Sequence, residues 1–265
     1  MRRLHRAGLR AALDAAVIPT FAAPGAAPGP EAIRFVRSPG SLPRGRRVYA
    51  VGDIHGHRDK LAALHTLIAA DLRSRPTGSA VVLHLGDYID QGPDSAGVVE
   101  FLLAGQGIPA VNLLGDHERM LLDALSGDRA AATDWLWAGG QQALISWGLD
   151  PDLPREDWEA GLPADHVRWL RGLTLTHREG GYLFVHAGIR PGVPLAEQTP
   201  EDLVGIRQPF LTIDRDHGMI VVHGHSGGPS VQISNNRIGI DTGVGIGGAL
   251  TCAVLEDDVI GLIAV

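Results

Sequence analysis

One cysteine, Cys252, stands in a chain of 265 residues. A lone thiol excludes an intramolecular disulfide, and the absence of any CxxC pair excludes a cysteine-based structural zinc site. The chain is therefore expected in a reducing cytoplasm, held by its own core, for which 45% hydrophobic residues are ample. Nowhere do about 18 apolar residues run together, so no transmembrane helix is expected. Basic residues are scarce beyond the N-terminus. Residues 1–47 hold nine arginines against Asp14 and Glu31, a local charge of +7; with −7 for the whole chain, the other 218 residues carry −14. Nucleic-acid phosphates are gripped by Lys and Arg, so an acidic body argues against a nucleic-acid partner. It suits a site that collects cations.

Residues 1–46 are rich in Ala, Pro, Gly and Arg, and the stretch PTFAAPGAAPGP (Pro19 to Pro30) cannot hold a helix or a core strand. They are expected to form a disordered tail, followed by one domain over 47–265. The opening MRRLHRAGLR also has the basic character of an export signal, although Asp14 interrupts the apolar run after it. A weak membrane-surface helix through Leu9, Leu13 and Val17 is a third reading, without stable membrane insertion.

From Arg47 the pattern is regular. VYAVGDIHG (Val48 to Gly56), AVVLHLGDYIDQG (Ala80 to Gly92) and IPAVNLLGDHE (Ile108 to Glu118) are each a short β-branched run ending in Gly-Asp. Such runs suit parallel strands buried on both faces, and a carboxylate just past a strand's carboxyl end stands where α/β proteins bind ligands. Helices are expected between them: His57 to Arg73, with Leu61, Leu64, Leu67, Ile68 and Leu72 on one face and Arg58 and Asp71 in water, then Ser95 to Leu103, then a third after GDHE. The stretch 130–173 is helical and Trp-rich, with Trp135, Trp137, Trp147, Trp158 and Trp169; it reads as a helical cap in which the indoles pack. Strands resume at Gly181 to Val185, ending in His186-Ala187-Gly188, and at Met219 to Val222, ending in His223-Gly224-His225. Alternating segments at 231–234, 237–241, 249–255 and 259–265 close the chain as antiparallel strands. Two sheets packed face to face with helices outside are expected.

Six residues at these strand ends, Asp53, His55, Asp87, Asp116, His186 and His225, form a mixed carboxylate and imidazole set. That mixture favours manganese, iron, zinc or cobalt over magnesium or calcium, which prefer oxygen alone. A carboxylate bridging two such ions would let them clamp a phosphoryl group. A lone Asp after a strand is usually a turn or cap residue; five blocks at five strand ends are not.

The blocks GDIHG, GDYIDQG, GDHE, HAG and GH, in this order from Val48 to the C-terminus, resemble the PPP family of metallophosphoesterases, in particular the bacterial Ser/Thr protein phosphatase type. The resemblance implies a four-layer αββα metallophosphoesterase sandwich with a helical cap insertion, and two divalent ions, manganese first among them. It implies that Asp53 and His55 hold the first ion, that Asp87 bridges, and that Asp116, His186 and His225 complete the second. It makes His117 the acid that protonates the leaving oxygen, Asp90 the carboxylate that orients it, and Arg207 in GIRQPF a phosphate-gripping arginine. Two positions depart from the family, which usually has Arg at Gln91 and Asn at Asp116; both changes weaken the hold on a phosphate dianion. His223 reads equally as a structural residue and as a partner of His225.

The expected function is two-metal hydrolysis of phosphate monoesters, most directly on Ser/Thr phosphoproteins, without a covalent phosphoenzyme. A hydrolase of dinucleoside polyphosphates such as diadenosine tetraphosphate shares the same blocks. A pseudophosphatase that binds phosphoproteins without turnover is the non-enzymatic reading, kept open by Gln91 and Asp116.

Overall fold

The computed structural model describes residues 33–265 apart from Leu153, and most of the expected tail lies outside the described residues. The domain boundary expected at 46 falls too late in the chain. Strand β1 (Val36–Arg37) pairs with the last strand, and Leu42 is buried. Ser38 Oγ lies 2.7 Å from the Tyr182 hydroxyl. Residues from about 33 thus belong to the folded body.

The chain then lays down β2 (Arg46–Val51), helix α1 (Arg58–Ser74), β3 (Ser79–His84), α2 (Ser95–Ala104), β4 (Ala110–Asn112) and α3 (Asp116–Leu125). Strands β2, β3 and β4 are parallel neighbours, as their two-sided apolar character required. Strand β4 is shorter than the run Ile108–Leu114 suggested. The helical stretch continues as α4 (Arg129–Trp135), a kinked turn over Leu136–Gly140, α5 (Gln141–Ser146), α6 (Arg155–Gly161) and α7 (Ala164–Arg171). A second sheet is built from β5 (Thr176–Glu179), β6 (Tyr182–Val185), β7 (Ile220–His223), β8 (Gln232–Ile233) and β9 (Arg237–Gly239), with α8 (Pro200–Gly205) inserted between β6 and β7. The hairpin of β10 (Thr251–Glu256) and β11 (Val259–Ala264) returns to the first sheet, where β10 lies antiparallel to β2.

Side-chain alternation along β2 sorts the layers. Val48 and Ala50 point into the space between the sheets and meet Phe184, Val222 and Ile238 of the second sheet. Tyr49 and Val51 point the other way, onto Leu61, Leu64 and Ile68 of α1 and the packed indoles of Trp135 and Trp158. The second sheet covers its own outer face with Leu203 of α8 and with Phe210. The result is the four-layer sandwich of two sheets with helices outside.

Asp71, expected in water, is buried: its carboxylate accepts from the Tyr49 hydroxyl and pairs with Arg47 and Arg75. Helix periodicity cannot reveal such a partner, because Arg47 arrives from another element. No helix among the described residues is long and apolar enough to cross a membrane.

Candidate dinuclear metal centre

The Gly-Asp punctuation converges at the carboxyl ends of β2, β3, β6 and β7 and the N-terminus of α3, where the two sheets meet. Gly86, at φ +113°, shows why glycine stands there: a Cβ would lie 2.8 Å from His186 Nδ1 and 2.7 Å from the Gly115 nitrogen. Five non-glycine residues of this rim, His55, Asp87, Asp90, Gln91 and His225, also adopt positive φ. Positive φ in non-glycine residues stores strain and concentrates at functional sites.

Asp87, Asp116, His186 and His225 offer donor atoms within 4.8 Å of one another, and so do His55, Asp87 and His117. Asp87 is common to both groups, the position a bridging carboxylate must have. His186 Nδ1 donates to the Leu85 carbonyl at 2.9 Å, which leaves Nε2 directed at Asp116 Oδ1, 2.9 Å away, and Asp87 Oδ1, 3.4 Å away. His55 Nδ1 donates to the Ile89 carbonyl, and its Nε2 faces Asp87 Oδ2 at 3.6 Å. A backbone carbonyl on one ring nitrogen fixes the tautomer that frees the other for a metal. His225 Nδ1 lies 3.0 Å from Asp116 Oδ1, and its buried Nε2 has no hydrogen-bond partner.

Asp53 departs from expectation in one respect. Its carboxylate accepts the His225 backbone N–H at 3.0 Å and 3.2 Å and stands outside both donor groups. Burial and the charges of Asp241 and Asp87 hold the Asp53 carboxyl well above its usual range. Burial and the neighbouring Asp116 push Asp87 up to about 8, while burial beside His117 holds His55 down at about 3. Buried carboxylates crowded in this way lack positive charge, and divalent ions supply it. The residues fit the ion pair.

His117 has a different state. Burial alone would lower it, but the charge of Asp87 and the hydrogen bond to Asp90 raise it to about 10. Its Nδ1 donates to Asp90 Oδ2 at 2.7 Å. A protonated imidazole cannot ligate a cation, so its position beside His55 and Asp87 suits proton donation. Gln91 Nε2 lies 3.3 Å from His117 Nε2, and Arg207 donates to the His225 carbonyl at 3.3 Å, which places both substrate-binding candidates at the rim. His223 is buried edge-on against Phe210, with Nδ1 donating to the Gly224 carbonyl.

The model of one family, the calcineurin-like phosphoesterases, matches residues 46–256. The chain belongs to this family. Among curated proteins, the calcineurin-like phosphoesterase is similar to the symmetrical bis(5'-nucleosyl)-tetraphosphatases of Methylococcus capsulatus (31% identity over 54% of this chain and 44% of that protein) and Aromatoleum aromaticum (32% over 55% and 45%). It thus spans less than half the length of these relatives. Among solved structures, it is similar to a protein whose name proposes, without establishing, a diadenosine tetraphosphatase, with 26% identity and a TM-score of 0.60 over 82% of this chain and 93% of that one. A protein serine/threonine phosphatase from Saccharomyces cerevisiae shares the fold at 11% identity and a TM-score of 0.52, over 83% of this chain and 80% of that one.

Three residues of the site escaped the sequence reading. Glu118 is fully buried, and its carboxylate accepts the backbone N–H groups of Gly115, Asp87, Tyr88 and Ile89, tying the β3 turn to the start of α3. Its signal was present: a Glu three residues after an N-cap glycine is half of a capping box. Trp135 reaches from the cap to donate its indole N–H to Asp90 Oδ2 at 2.8 Å. Asp241, at the end of the β9 strand, adds its charge beside Asp53. Nothing local in the sequence separates these two from ordinary core and turn residues.

Proposed function

We propose that this phosphoesterase hydrolyses phosphoanhydride bonds in dinucleoside polyphosphates of the diadenosine tetraphosphate kind. The observation that carries the proposal is the likeness, above 25% identity and over most of both chains, to a structure whose name proposes that activity. The curated relatives point the same way. The Ser/Thr phosphoprotein reading has less behind it, because its structural neighbours share the fold alone. The pseudophosphatase reading has less support because His117 keeps its hydrogen bond to Asp90 beside the donor atoms of His55, Asp87, Asp116, His186 and His225.

In the proposed arrangement Asp53, His55 and Asp87 hold one divalent ion and Asp87, Asp116, His186 and His225 the other, with manganese the preferred metal. When bound, the ions supply charge neutralisation and Lewis acidity. Arg207 grips a phosphate oxygen from the opposite rim. His117 delivers the proton at Nε2 to the departing phosphate oxygen, while Asp90 holds Nδ1–H and stabilises the imidazolium. The buried free thiol of Cys252 suits the cytoplasm as the site of action.

The test is a panel with chelated protein reloaded with manganese, comparing diadenosine tetraphosphate, phosphopeptides and a chromogenic phosphate ester. The dinucleotide should give the highest kcat/KM, and chelation should abolish turnover of all three. A phosphopeptide preferred over the dinucleotide would return the phosphoprotein reading to first place.

A further inference from the structure

Of the five tryptophans, Trp137 alone is left in water: it is 83% exposed, whereas Trp135 is fully buried. The two lie two residues apart on one helical run, so they point to nearly opposite sides. Trp135 turns inward to Asp90; Trp137 turns out to a cavity of about 320 Å³ lined by Gln91, Leu136, Gly139, Gln141 and Gln142. The cavity is a shallow, open depression whose volume lies at the low end of the range of about 300–1,000 Å³ usual for small-molecule sites, so it would cover one face of a ring and leave the other in water. The turn carrying Trp137 is a kink between two helices, where Gly139 leaves helical geometry. Gly139, at φ +117°, lets its carbonyl accept the Gln91 N–H at 3.3 Å, and a Cβ there would lie 2.6 Å from that nitrogen. The cap is therefore held directly against the residue whose side chain touches His117.

We infer that this cavity is the subsite for the purine base of the leaving nucleotide, with the Trp137 indole as its stacking surface; the inference rests on the proposed dinucleotide substrate. Two observations choose the occupant. The lining residues carry no charge, so the cavity suits a neutral aromatic ring and not a further phosphate. Its link to the metal centre runs through Gln91, whose side-chain amide lies 3.3 Å from His117 Nε2, the atom that faces the departing group in the proposed arrangement, so the group received on this side is the leaving one. The amides of Gln141 and Gln142 each present a donor and an acceptor side by side, the pattern that matches the N6 and N7 edge of adenine. Aromatic stacking on an exposed indole supplies affinity with little sequence demand.

The experiment compares AMP with ribose 5-phosphate, which lacks the base, by calorimetry on the manganese-loaded full chain. The unaltered protein should bind AMP roughly five- to 150-fold more tightly, the span of one stacking contact. Trp137→Ala should bring the ratio close to one, Trp137→Phe should keep most of it, and Ile145→Ser, an exposed apolar residue of the cap outside the cavity lining, should leave it unchanged. Equal binding of AMP and ribose 5-phosphate by the unaltered protein, or an AMP preference that survives Trp137→Ala, would overturn the subsite. Binding is read without turnover. If diadenosine tetraphosphate resists hydrolysis while the Trp137-dependent preference holds, the subsite stands and the proposed substrate falls. If the dinucleotide is hydrolysed with an unchanged KM in Trp137→Ala, the subsite alone falls.

Discussion

His117 combines two properties rarely found in one imidazole: it sits among metal-ligand candidates, yet its hydrogen bond to Asp90 and the charge of Asp87 keep it protonated. Its removal should lower kcat on a substrate with a poor leaving group by roughly 10²–10⁴ while leaving metal content intact, because the proton it gives matters only in the transition state. The loss should depend on the leaving group. It should be large for a serine phosphate, whose alkoxide is a poor leaving group, and small for an aryl phosphate or a phosphoanhydride. Kinetics of His117→Ala on such a series, with metal analysis of the same samples, checks this. An emptied metal site, or an equal loss on every substrate, would make His117 a ligand instead. Asp116 lies within contact of both His186 and His225, so the carboxylate that replaces the family's amide is a full member of the donor set.

Among elements, the cap contributes to chemistry as well as to packing. Trp135 fills the core against Trp158, with ring centroids 5.5 Å apart, and its N–H donates to Asp90 Oδ2, the same oxygen that accepts from His117 Nδ1. Trp135→Phe keeps an aromatic ring and removes only the donor. It should lower kcat by about tenfold, in the range found when a partner behind a working residue is lost, with KM little changed. Steady-state kinetics separates this from general damage to the fold, which would reduce the active fraction and the melting temperature together. Strand β1 makes a second element-level prediction. Removing residues 1–32 should leave the melting temperature nearly unchanged, because their composition lacks an apolar pattern able to pack. Removing 1–42 should lower it clearly, since it takes away the β1 pairing, the Ser38–Tyr182 hydrogen bond and buried Leu42. Thermal melts of the two truncations decide the matter.

For the molecule as a whole, stability should fall on the acid side of neutrality for a reason remote from the metals. His84 Nδ1 donates to the Asn112 side-chain oxygen at 2.8 Å, so its Nε2 accepts from His65 Nε2 at 3.1 Å. Burial holds His84 down at about 3 and His65 at about 4, from 6.5. Both are thus neutral when folded and protonate first in the unfolded chain. Their contribution is complete above pH 6.5 and is lost as pH falls from there towards 4, at up to about 1.4 kcal/mol per pH unit for each ring. Denaturant melts between pH 7 and 5, run side by side on the protein and its His65→Gln variant, isolate this contribution, and the variant should reduce the pH slope by about one proton.

The sequence alone determined the architecture and placed Asp87, Asp116, His186 and His225 at the ends of hydrophobic runs that the structure brings together. Short β-branched runs ending in Gly-Asp define buried parallel strands and their functional ends, because strand burial and turn geometry are local demands written in residue type. The two-sheet sandwich and the proximity of Asp87, His186 and His225 were legible that way. Only the tertiary structure decided which distant groups complete them. Glu118 beneath the β3 turn, Trp135 on Asp90, Asp71 in its buried pairing and Trp137 left out over the cavity depend on contacts between elements, and periodicity shows which face of a helix is apolar, not what another segment brings to it. The same reason explains why Asp53 stands apart from the donor groups: its carboxylate accepts the His225 backbone N–H, which comes from the segment after β7 of the other sheet.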